Sequence, residues 1–441
     1  MRRALTTALT LALTLAIPAA PVAAQEADPQ AAPATRLRVA LDRILAEHAF
    51  LIVDAVRLGV EGGPEFEAAA DALEENSTRL IDAIAGIYGD EAGDAVGVQW
   101  RNHHAYLIDY ARAVAANDRE AAAVADQQLR RYISDFASLL TSAITPLTDE
   151  VVASLVEEHV DQIEQIAAFD AADFGSAYPA VRATHEHMYM IGDGLSLGIV
   201  NQFPERFTGG VFAFSPATDM RLLLDRLLGE HTELASLAMR ATLSGAPDAS
   251  AAADALDDNA NELADTIGSI YGADAAAAFD TLWTRHLRLY LRYVTGLRDN
   301  DAADLTAARN GLAGYTVEFT DFLAGANPFL SASDFETLLG DHTDHLLTQA
   351  DEFAAGDYRG AYAAGHAGFE HSGELSAGLA AAIADQFPLL FPDTATGQSP
   401  APASPGDPLG RSWPLAALLG LAGLWASIWL TRRRRFGGVG G

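Results

Sequence analysis

The sequence predicts an all-α protein of two tandem homologous helical-bundle domains, about six helices each, followed by a C-terminal transmembrane helix. Three observations carry this reading. Apolar residues recur at spacings of three and four throughout, and no alternating stretch competes. The chain repeats itself: Leu41-Asp42-Arg43-Ile44-Leu45-Ala46-Glu47-His48 returns 183 positions later as Leu224-Asp225-Arg226-Leu227-Leu228-Gly229-Glu230-His231. Near the end, Pro414 to Leu430 is uncharged and mostly apolar, and Arg432 to Arg435 follow it.

Residues 1–24 read as a signal peptide, with Arg2 and Arg3 before the apolar stretch Ala8 to Ile17 and small residues at Val22-Ala23-Ala24. The first repeat is expected over 37–207, with helices at 37–60, 65–88, 91–116, 118–143, 148–170 and 173–203. Asp118 and Asp173 serve as N-caps, Gly89 as a C-terminal stop and Pro204 as the end of the last helix. The second repeat is expected over 220–391, joined to the first through Gly209 to Asp219. Matched landmarks support the duplication: Ile87-Tyr88-Gly89 with Ile270-Tyr271-Gly272, Trp100 with Trp283, and Gln202-Phe203-Pro204 with Gln386-Phe387-Pro388. Two long units of this kind are duplicated domains rather than a solenoid of short repeats.

A stalk (392–413), the transmembrane helix (414–430) and an Arg-rich cytoplasmic tail (431–441) complete the expected order. Seventeen residues at about 1.5 Å each span roughly 25 Å, at the short end for a bilayer. Trp413, Trp425 and Trp429 suit membrane interfaces, and the arginine block suits the cytoplasmic side. The expected location is therefore the cell envelope, with the repeats extracytoplasmic and the membrane as a partner through this helix.

Composition narrows the chemistry. The formal net charge is −32, every basic residue is arginine, and there is no cysteine. So acidic a surface disfavours nucleic acid as a partner. Disulfides and thiolate metal sites are excluded.

The functional lead lies in the histidines. His48/His231, His103/His286 and His159/His342 are offset by 183, and His187/His371 by 184. Each sits on an apolar stripe near the middle of its predicted helix. In an antiparallel bundle of similar helices, midpoints share one level. The two other helices of each repeat contribute Asn76 (Asn259) and Tyr132 (Tyr315) at that level. The expectation is a buried polar layer in each repeat, and imidazoles meeting in an apolar interior need partners. A transition metal would supply them, and an all-nitrogen donor set favours copper or zinc. The alternative is a metal-free hydrogen-bonded or pH-sensing cluster in a non-catalytic structural or adhesion module.

An acid precedes six of the eight histidines: Glu47, Glu158, Glu186, Glu230, Asp341 and Glu370. These are expected beside the core stripe, either exposed or orienting a histidine of a neighbouring helix. His104, His185, His345 and His366 have no counterpart in the other repeat and are expected at the surface, with His104 and His185 the best candidates for exceptions. Catalytic motifs are lacking: no Glu-x-x-His precedes the eight histidines, and there is no His-Glu-x-x-His or phosphate loop. The sequence assigns no catalytic residue and leans against an enzyme.

Glu47-His48, Asn76, Ile87-Tyr88-Gly89, Trp100-x-x-His103, Glu158-His159 and Gln202-Phe203-Pro204 together resemble a poorly characterised family of exported bacterial helical repeats. The resemblance covers both copies. Some members of that family also carry a small domain labelled copper amine oxidase-like. Neither that domain nor the Asn-Tyr motif of a quinone-forming oxidase is present here, so the resemblance implies helical repeats and no oxidase chemistry.

Overall fold

The computed structural model describes residues 29–169 and 173–392. They are all-helical. In the first repeat the helices are α1 (Pro33–Gly59), α2 (Pro64–Tyr88), α3 (Asp90–Ala115), α4 (Arg119–Ala143), α5 (Asp149–Phe169) and α6 (Phe174–Gln202). A short helix, α7 (Gly210–Ala213), lies in the connection. The second repeat comprises α8 (Pro216–Ser244), α9 (Ala249–Tyr271), α10 (Ala273–Asp299), α11 (Ala302–Ala326), α12 (Ala332–Ala355) and α13 (Tyr358–Gln386).

Local chemistry sets the ends. Asp118 accepts from the backbone N–H groups of Glu120 and Ala121 at 3.1 and 3.0 Å, and its counterpart Asp301 does the same for Ala303 and Asp304. Asp173 caps α6 through Ser176 N–H. Gly89 and Gly272 take φ of 96° and 91° between helices, a region that favours glycine. The second repeat starts earlier than its expected Met220, because Ser215 accepts from Thr218 N–H and Pro216 opens α8.

Within each repeat, successive helices pack side by side and the sixth returns onto the first. The first, third and fifth helices also touch one another, so they surround the axis of the bundle; α8, α10 and α12 repeat this arrangement. Helices α1 and α8 are buried on nearly every side along their middles, Leu41 to Val56 in α1 and Leu224 to Met239 in α8. A helix buried all round lies inside a larger body. That body contains both repeats: α2 packs on α13, α6 on α9, and α1 on α8. Charge pairs seal the junction reciprocally. Arg182 of α6 donates to Glu230 of α8 at 2.8 Å, and the equivalent His366 of α13 meets Glu47 of α1 at 2.6 Å.

Helix α6 approaches α1 closely at Gly192, where an added Cβ would stand 2.1 Å from Asp42 Oδ1. The equivalent position in α13 is Ser376, whose hydroxyl donates to Asp225 at 3.0 Å. Gly192→Ala is expected to lower unfolding free energy by about 1–3 kcal/mol through overpacking, measurable by urea titration. An unchanged midpoint would show that the two helices are not this close.

The expected fold class is corrected in its last component. Among the described residues no helix is long and apolar enough to cross a membrane. Charged residues interrupt each of the long helices, and their apolar faces are taken up by neighbouring helices. The expected signal peptide, the segment 414–430, the tail and all but the first residue of the stalk lie outside the described residues.

Candidate metal centre

Three of the expected histidines converge in the first repeat. His48 of α1, His103 of α3 and His159 of α5 are buried, and one ring nitrogen from each lies within 4.8 Å of the other two. These are the three helices that surround the bundle axis. All run in the same direction, with the histidine near the middle, which brings the imidazoles to one level. Ring centroids stand 5.5 Å apart for His48–His103 and 5.7 Å for His48–His159.

The surroundings hold the rings in place. Trp100 lies against His48 and His103 at 4.6 and 4.7 Å, and Tyr132 stacks on His103 at 4.8 Å with the planes 14° apart. His159 Nδ1 lies 3.2 Å from Thr184 Oγ1 of α6. With Nδ1 as the donor in that bond, Nε2 carries the lone pair and faces the centre. Both ring nitrogens of His48, both of His103 and Nε2 of His159 are buried without a hydrogen-bond partner. Burial pushes His48 and His103 well below the ordinary imidazole pKa, and brings His159 down to about 3. Neutral imidazoles with free lone pairs are what a divalent transition metal binds. The triad could hold a metal ion.

A fourth imidazole is also present. His104 is buried, its ring lies 4.4 Å from His103 and 5.2 Å from His48, and its Nε2 has no partner. Its expected surface position is corrected, because α3 turns both His103 and His104 inward. His185, also expected at the surface, is fully buried between the repeats. Its two nitrogens lie 3.3 and 3.2 Å from the carbonyls of Ala46 and Arg226. His366 is half-buried against Glu47. The helical stripe could have flagged His185, which is one turn before Tyr189. His366 could have been found by aligning it with Arg182, since both reach across the junction.

The fourth expected histidine of each repeat goes elsewhere. His187 Nε2 donates to Leu155 O at 2.8 Å, and His371 Nε2 donates to Leu338 O at the same distance. Each pins the sixth helix of its repeat to the fifth.

In the second repeat, His231, His286 and His342 occupy the same places but are arranged differently. His231 Nε2 and His286 Nε2 face each other at 3.5 Å, so one ring donates to the other. Tyr315 stacks on His286 at 4.7 Å. At the position of Thr184 stands Gly368, and Leu287 replaces His104. His342 Nδ1 therefore lacks the hydroxyl that orients His159, and it has no partner.

Asn76 and Asn259 do not join either cluster. Asn76 donates to Ile44 O at 2.9 Å and to Glu47 at 3.0 Å; Asn259 donates to Leu227 O at 3.0 Å and to Glu230 at 2.7 Å. They tie the second helix of each repeat to the first. The acids before His48 and His231 are buried in these networks, whereas Glu158 and Glu370 are exposed. Compared with known proteins, the chain matches no protein-family model, no curated protein and no solved structure.

Proposed function

We propose that the first repeat binds one Zn(II) or Cu(II) ion through His48, His103 and His159, and that the protein buffers, senses or delivers this metal. The supporting observation is the set of three buried imidazoles from three helices whose inward nitrogens have no other partner. An ion with three nitrogens at about 2.1 Å in tetrahedral geometry holds them about 3.4 Å apart. Loading therefore draws the rings together by roughly an ångström. Three neutral ligands leave one position for water or for His104, which lies beside the triad.

Equilibrium dialysis against Zn(II) and, separately, Cu(II), followed by elemental analysis, tests this reading. One tightly held ion per chain is the expected result. No bound ion, or an ion retained when all three histidines are replaced, would overturn it.

The second repeat favours a different reading, because the facing Nε2 atoms of His231 and His286 already bond each other. It serves as a hydrogen-bonded polar core that keeps α8 and α10 in register.

A further inference from the structure

A cavity of about 460 Å³ lies away from the histidines. It lies where the second half of α1 meets the second half of α8, at the junction of the repeats. In and just behind its walls one constellation occurs twice. Arg57 and Arg240 are equivalent positions offset by 183, as are Glu65 and Asp248; Tyr178 and Tyr362 are offset by 184. Each guanidinium lies over the tyrosine of its own repeat, at 5.5 Å for Arg57–Tyr178 and 5.2 Å for Arg240–Tyr362. Each then pairs with a carboxylate of the other repeat, Arg57 with Asp248 and Arg240 with Asp54. The two tyrosine hydroxyls donate to these same carboxylates at 2.8 Å.

The symmetry breaks at one place, and the break leaves a charge over. Asp54 has Leu237 as its equivalent, so the second constellation holds two acids where the first holds one. Asp54 takes Arg240. Glu65 is left 3.9 Å from the nearest guanidinium nitrogen, beyond hydrogen-bonding distance. Glu61 also lines the cavity. Among the described residues, four carboxylates thus face two arginines, and each arginine already has a carboxylate and a tyrosine. Burial raises the pKa of Glu65, with Arg240 opposing and Asp54 reinforcing the rise, as expected of an acid short of positive charge.

We propose that this cleft binds a small organic cation, an aliphatic amine or diamine, with Glu65 holding the ammonium group. An anionic ligand would meet arginines that are already neutralised and two carboxylates that are not. A bare metal ion would leave most of the volume unfilled. The walls between the charges are apolar or aromatic, including Phe174, Leu237 and Phe353, which suits the hydrocarbon part of an amine. Aromatic faces also attract ammonium groups.

Isothermal titration of the full chain with 1,4-diaminobutane, at about 0.15 M salt to screen the acidic surface, tests the proposal. Saturable binding of one diamine per chain is expected, with no heat from succinate, a dianion of the same length. Glu65→Gln is expected to weaken binding at least tenfold. Glu65 lies in the first turn of α2, so the fold should survive the change, and a melting curve checks this. Ala115→Trp, made from an exposed position on the wall, is expected to abolish binding by filling the cleft. No saturable heat from the diamine, undiminished binding by a folded Glu65→Gln protein, or preference for succinate would each overturn the proposal.

Discussion

Saturating Zn(II) or Cu(II) is expected to raise the melting temperature of the protein, and this shift should vanish in His103→Ala. A ligand bound only by the folded state stabilises it by about 2.7 kcal/mol at a hundredfold excess over Kd, which corresponds to a few degrees. His103 offers an unpartnered ring nitrogen to the centre and is held by Trp100 and Tyr132, so its loss removes a ligand rather than a bystander. Affinity should fall by more than about 100-fold, the upper range for losing a group that merely supports a ligand. Thr184→Val makes the finer test, because it keeps the side-chain volume and removes only the hydroxyl facing His159 Nδ1. Its expected cost is about 10–100-fold in affinity, with the fold intact. His286→Ala, in the second repeat, should leave stoichiometry and affinity unchanged. Equal metal affinity in wild type, His103→Ala and Thr184→Val would dismiss the centre, and two ions per wild-type chain would show that the second repeat binds as well.

The sequence carried the helices because their ends have local causes. Asp118, Asp173 and Gly89 act within a few residues of themselves, and Pro204 stops α6 by its own covalent geometry. The convergence of His48, His103 and His159 was also legible, since three helices running in one direction, each with its histidine near the middle, bring their midpoints together. Whether a mid-helix histidine faces the axis or a neighbouring helix depends on rotations of a few tens of degrees, which apolar spacing does not resolve. His187 and His104 exchanged their expected places for that reason. The difference between the repeats was present in the sequence but distributed: Thr184 and Gly368 lie far from the histidines they distinguish. The junction was hidden for another reason. Glu47, Arg182, Glu230 and His366 read as ordinary surface charges on any one helix. Only the packing of α6 on α9 and of α13 on α2 buries them together.

Acid is expected to unfold the protein steeply, and His286→Leu should make the transition shallower. Burial holds His286 at a pKa of about 3, and pushes His231 and His342 well below the ordinary value. In the unfolded chain all three titrate near 6.5. Each folded-state pKa is depressed, so for a histidine the neutral form is the one the fold accommodates. Their stabilising balance is complete above about 6.5 and is lost as pH falls from there towards about 3, because the unfolded chain takes up protons that the folded one refuses. Each such group costs about 1.4 kcal/mol per pH unit across that window, so three together approach about 4 kcal/mol per unit. Against a typical total of about 5–15 kcal/mol, two pH units are enough to unfold a domain. The His231–His286 bond gives an added proton no good place: on the accepting Nε2 it sets two donors against each other at 3.5 Å, and on the buried Nδ1 of the donor ring it finds no partner. Urea titrations between pH 7 and 5, with chelator present so that metal release does not contribute, give the slope directly. His286→Leu keeps an apolar body against Tyr315 and removes one titrating group, so its slope should be lower by about 1 kcal/mol per pH unit over this range, approaching about 1.4 at its acid end. Parallel slopes for wild type and variant would mean that His286 is protonated within the fold, and that the second repeat tolerates charge at its centre.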